Sequence, residues 1–141
     1  MEKIMLLLHV IGATGMGLYI VLPVLIGRAS KLAGTGQAGL AEGLLSANRV
    51  AQYFLVLQLL TGGYLMSQLK YSYVWMAVVT VLFLAIAALG GIVSKPLKLI
   101  VADIQAGHSA SSHIAKARAL SMVILLIYIV ILIFMKYPMY R

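Results

Sequence analysis

The chain contains three histidines, and only His9 lies inside an apolar run, Ile4 to Gly27, reading IMLLLHVIGATGMGLYIVLPVLIG. An ionisable side chain at membrane depth is costly and marks a functional site by default. On a helix, the face of His9 continues through Gly12, Ala13 and Met16, with Met5 one turn before it. A second small patch, Thr61, Gly62, Gly63 and Tyr64, returns to about the same depth at the end of the next apolar run. Two glycine patches with one histidine between them predict a slot for a porphyrin. In that reading the cofactor is haem b, His9 is the iron ligand, and Gly12, Ala13, Met16, Gly62 and Gly63 line the slot. With one histidine at that depth, iron would be five-coordinate or capped by methionine. That arrangement suits a diatomic gas such as nitric oxide, or redox exchange with a quinol or membrane partner. The same residues allow a plainer reading. Transmembrane glycines serve small-xxx-small packing, as Ala13/Gly17 and Ala87/Gly91 also would, and His9 would hydrogen-bond a neighbouring helix.

Other candidates are weaker. His108 and His113 fall in or beside a polar stretch on the opposite side of the membrane from His9, five apart and off a common helical face. They read as solvated residues. Five of the eight methionines, Met5, Met66, Met76, Met135 and Met139, gather toward the side of the termini. Thioethers there could handle copper as Cu(I), or simply fill gaps between helices. Gln58 and Gln52 suit interhelical hydrogen bonds. Arg28 and Arg49 would meet lipid phosphates at the ends of the first two spans. Glu2, Glu42 and Asp103 are all peripheral, so no carboxylate pair exists for acid–base work within the membrane. No catalytic residue is assigned.

The elements that must position these residues follow from composition. Of the 141 residues 63% are hydrophobic and 10% charged, with a mean hydropathy of +1.06. Soluble domains are about half apolar and about a quarter charged. The absence of cysteine excludes disulfides, zinc–thiolate sites, iron–sulfur clusters and CxxCH haem attachment. The net charge of +8 is scattered at segment ends with no aromatic-interleaved basic face, so no nucleic acid partner is expected. The first segment lacks a cleavage site and reads as a retained helix.

About 20 apolar residues span a bilayer core of about 30 Å. Four stretches, 4–27, 50–69, 73–93 and 119–135, meet or approach that length. They predict an all-α polytopic membrane protein, a single domain over 1–141 built as an up-down four-transmembrane-helix bundle. Of the 11 Lys and Arg residues, four (Lys3, Lys70, Lys136, Arg141) lie on the side of the termini. The other seven (Arg28, Lys31, Arg49, Lys95, Lys98, Lys116, Arg118) lie on the side of the longer loops. The positive-inside rule then places the loops inside and both termini outside. Tyr71, Tyr73, Trp75, Tyr137 and Tyr140 form an interfacial belt on the terminal side. The loop from Arg28 to Arg49 is predicted to lie on the inner surface with a short helix near Gly39–Ser46. Beyond Pro96, the stripe Leu97, Ile100, Val101, Ile104 predicts an interfacial continuation with Lys98 and Asp103 in water. Gly107 ends it, and Ser111 or Ser112 would cap the last helix.

With LLLHVIGATGMG in the first helix, LTGGYLM closing the second and MKYP after the fourth, the chain resembles small bacterial four-helix membrane proteins of the DUF2269-like group. More distantly it is similar to the HemJ and CopD families. The resemblance implies a multi-pass protein of the bacterial cell membrane. HemJ-type proteins are haem-b proteins that oxidise protoporphyrinogen, and the match of His9 followed by Gly12 implies His9 as the haem ligand. The HemJ-like pattern also has a tryptophan soon after the histidine, an arginine directly after Leu-Pro and a lysine on the third helix. Here Gly12–Gly15 replaces the first, Val24 follows Leu22-Pro23, and no charge lies between Tyr71 and Ser94. The resemblance therefore implies the ligand and not the oxidase reaction. CopD-like proteins imply copper handling by the methionines. The expectation is a haem-b-binding membrane protein. Its alternatives are a copper-handling protein or a cofactor-free accessory or scaffold subunit. Expected partners are the bilayer, a quinol or redox protein, and a second copy of the chain.

Overall fold

The computed structural model describes residues 1–140; Arg141, counted above among the terminal-side cations, lies outside the described residues. Five α-helices follow one another: α1 (Glu2–Gly15), α2 (Leu18–Ala29), α3 (Gly34–Gln68), α4 (Tyr73–Gln105) and α5 (Ser111–Lys136). α1 and α2 are two halves of one span, so four helical rods are long and apolar enough to cross a membrane. α1 packs on α3, α3 on α4, α4 on α5, and α2 on both α5 and α3, which closes an antiparallel four-helix bundle. Large apolar side chains such as Leu7, Val24, Leu60, Val81 and Leu126 face outward. An apolar surface this extensive is stable only against lipid.

The first span breaks because its sequence cannot keep a regular ladder there. Gly17 N–H bonds Thr14 O at 3.0 Å and Tyr19 N–H bonds Met16 O at 3.0 Å, both one residue short of the α-helical pattern. Gly15 and Gly17 hold a helix weakly, and Pro23 removes the amide that would bond Tyr19 O. The break frees the Ala13 carbonyl, which accepts the Tyr128 hydroxyl at 3.1 Å. Such a break within the membrane is tolerated because a neighbouring helix satisfies the backbone group.

The loop side differs from the sequence expectation. α3 begins at Gly34 and runs unbroken, so the segment predicted as a surface loop with a helix only at Gly39–Ser46 is part of a 35-residue rod. At 1.5 Å per residue that rod is about 52 Å long, some 20 Å more than the bilayer core requires. The reason is packing. Ala41, Leu44, Asn48, Ala51 and Leu55 are buried at helical spacing, while Gly36, Gly39 and Gly43 face open space. α4 likewise passes through Pro96 to Gln105. Leu97 and Ile100 are buried in the same core as Ala110 and Ile114, so the stripe covers its own bundle rather than lying on the membrane. Asp103 is not free in water; its carboxylate pairs with the His113 ring and clips α4 to α5. Gly107, with φ +75°, ends α4 as expected. Ala110, not a serine, occupies the cap position of α5.

On the terminal side, Ser72 N–H bonds Met139 O at 2.8 Å. Tyr71 stacks between Trp75 (4.6 Å) and Tyr140 (5.1 Å). Burial, and then the adjacent Tyr140, push the Tyr71 phenol up. Tyr73, Tyr137 and Tyr140 are exposed as a belt requires, but Trp75 is 2% exposed. It donates its indole N–H to Phe134 O at 3.1 Å, pinning the end of α5 rather than meeting headgroups.

Candidate functional site

α1 packs on α3 along a seam in which Gly12 is its only buried residue. The seam exists because the residues facing α3 are small. A Cβ on Gly12 would lie 2.5 Å from Gln58 Oε1 and 3.4 Å from the backbone of Phe54 and Gln58. A Cβ on Gly15 would run into the Phe54 ring, and one on Gly62 would lie 3.1 Å from His9 Cε1. Glycine on both sides therefore lets the imidazole enter between the helices.

There, His9 is held at both nitrogens. Nδ1 is 3.0 Å from Thr61 Oγ1, and Nε2 is 3.0 Å from Gln58 Nε2. The Thr61 hydroxyl donates to Leu57 O at 2.8 Å, so its oxygen is left to accept from His9 Nδ1–H. This assigns the neutral Nδ1–H tautomer, with Nε2 accepting from the Gln58 amide, by the completeness of the network. One atom is left over: Gln58 Oε1 is buried and has no hydrogen-bond partner.

An iron ligand needs a free imidazole nitrogen, and both are engaged. A flat macrocycle needs a slot, but the Gly12 notch is filled by Gln58 and the Gly62 notch by His9 itself. As packed, these residues do not fit a haem. The expected wall residues separate into two sets. His9, Gly12 and Gly62 come together. Ala13 contributes a carbonyl to Tyr128, Met16 is 2% exposed in the main core, and Gly63 faces open space. Among the methionines, Met135 packs against the core and Met139 is exposed. Among the described residues no three His, Asp or Glu side chains converge on a metal position.

A second buried polar cluster ties the loop-side half. Tyr19 donates its hydroxyl to Asn48 Oδ1 at 3.1 Å, and Asn48 Nδ2 donates to Gly90 O at 2.8 Å. Three helices meet there, and Gly90 is required because a Cβ would sit 2.7 Å from the Tyr19 oxygen. The signal was in the sequence: Asn48 interrupts the stripe of Ala41, Leu44, Ala51 and Leu55 at its own helical position.

Two concavities open on the loop side. One, of about 860 Å³, lies between the α2–α3 and α4–α5 turns and is lined by Leu32, His108, Ile114, Arg118 and Met122 among others. The other is a polar notch of about 120 Å³ between α3 and α4. His108 is exposed in the α4–α5 turn, and His113 is bound to Asp103, so the two remain apart from His9 as their spacing indicated. Arg49 lines the notch together with Lys98. Searches against protein families, curated proteins and solved structures give no match to this chain.

Proposed function

We propose that this protein is a multi-pass membrane scaffold or accessory subunit whose buried polar groups hold helices together rather than hold a cofactor. The observation that carries this reading is the engagement of both His9 nitrogens by α3. A histidine kept for chemistry would present one nitrogen to a ligand; here the ring is consumed as a two-sided clasp between α1 and α3. The glycines beside it serve close approach. The experiment is to purify the protein in detergent, add haem, and record its absorbance with a His9→Ala variant alongside. The expected result is no Soret band in either protein and lower stability in the variant. A Soret band that His9→Ala abolishes would overturn the reading.

One observation favours haem ligation as a second reading. Gln58 alone hydrogen-bonds His9 Nε2, its side chain is the nearest group to the Gly12 notch, and its Oε1 has no partner. A single side-chain rotation would uncover the nitrogen. The same spectrum separates the two readings.

We infer that the protein sits in a bacterial cell membrane with both termini outside. Support comes from the seven loop-side cations against four on the terminal side. The chain lacks cysteine, so single cysteines report cleanly. In intact cells a membrane-impermeant maleimide is expected to label Glu2→Cys and not Ser109→Cys. The opposite pattern would reverse the orientation.

A further inference from the structure

We propose that the notch between α3 and α4 on the loop side is an oxyanion site that takes a phosphate group. Arg49 projects into it from α3 and Lys98 from α4, with Asn48, Gln52 and Ser94 completing its polar wall. Both cations are exposed to solvent, so their mutual repulsion is screened, and an anion between them would turn it into attraction. The protein supplies none: among the described residues the only ion pair is Asp103 with His113, so neither Glu42 nor Asp103 neutralises Arg49 or Lys98. Gln52 makes no hydrogen bond among the described residues, which leaves its amide free to donate. Asn48 is 1% exposed and oriented by Tyr19 and Gly90. One of its two amide hydrogens is used at Gly90, so the wall beneath the cations is fixed and still carries a donor.

Size and depth narrow the ligand. The notch, of about 120 Å³, has room for a group larger than one water. A phosphate group fits it and an acyl chain or a macrocycle does not. Arg49 immediately precedes the apolar run that starts at Val50, and Lys98 lies five residues beyond Val93, about 7 Å along the helix. Both are therefore at headgroup level. The phosphate can come from an anionic phospholipid or from free phosphate, and an Arg–Lys pair with amide donors serves either. Nothing in this inference depends on His9.

The test is thermal unfolding of the full chain in a neutral detergent with added phosphatidylglycerol, phosphatidylcholine or inorganic phosphate. Phosphatidylglycerol is expected to raise the midpoint by several degrees and phosphatidylcholine not to. The increase should fall at least threefold in Arg49→Gln/Lys98→Gln and persist in Lys95→Gln, which removes an exposed charge outside the notch. Ser94→Met, which fills the notch and keeps both cations, should also lose it and covers the case of a double variant that does not fold. Stabilisation by inorganic phosphate with the same variant pattern would identify free phosphate as the source. Equal shifts from both lipids with none from phosphate, or shifts that survive in Arg49→Gln/Lys98→Gln or Ser94→Met, would overturn the proposal.

Discussion

Gly12→Leu is expected to destabilise the bundle by about 2–4 kcal/mol, read as a shift in reversible unfolding with sodium dodecyl sulfate. Overfilling a packed contact costs about 1–3 kcal/mol, and separating α1 from α3 adds about 1 kcal/mol for the lost His9 hydrogen bonds. The flexible Gln58 amide, 2.5 Å from the first added carbon, can swing aside. The backbone of Phe54 and Gln58 at 3.4 Å cannot, so the branched end of leucine must lever the helix outward. α1 has no other buried residue with which to compensate. Gly63→Leu, on a face where nothing lies within 4 Å, is the matched control. It should not lower stability, since leucine is the better helix former by about 0.5–1 kcal/mol. Equal losses in the two variants would contradict the seam, because leucine is the better helix former and propensity alone predicts no loss.

The second large effect belongs to Asn48. Asn48→Leu keeps the branched shape but leaves the buried Tyr19 hydroxyl with no acceptor, and the same unfolding measurement should show a loss of about 1–3 kcal/mol. Adding Tyr19→Phe should recover part of it, because removing both partners is cheaper than stranding one. A double variant less stable than Asn48→Leu alone would contradict this account. The Gly90 carbonyl is a minor contributor, since it lies inside α4 and retains its own helical partner.

The sequence made the four rods legible because twenty-residue apolar runs admit few alternatives in a membrane. It also singled out His9, Gly12 and Gly62, which do meet, and it gave Gln58 an interhelical hydrogen bond, which it makes to His9. It did not reveal that these residues would satisfy one another. The helical wheel shows which residues share a face; it does not show that Thr61 gives its own proton to Leu57 and so becomes an acceptor. The extent of α3 was hidden because its first turns are rich in glycine. Those glycines lie on the open face, and packing at Ala41 and Leu44 outweighs a helix cost of about 0.5–1 kcal/mol for each. Trp75 was misplaced for a related reason. Position near a span end marks an aromatic as interfacial, whereas the carbonyl of Phe134 decides that its N–H is satisfied inside.

The central claim is that His9 is a clasp. A double-mutant cycle on His9→Ala and Thr61→Val, measured by reversible unfolding in detergent, tests it most directly. The two side chains meet at 3.0 Å, so a coupling of about 0.5–1.5 kcal/mol is expected. A coupling indistinguishable from zero, with the His9→Ala variant as stable as the parent, would contradict the claim.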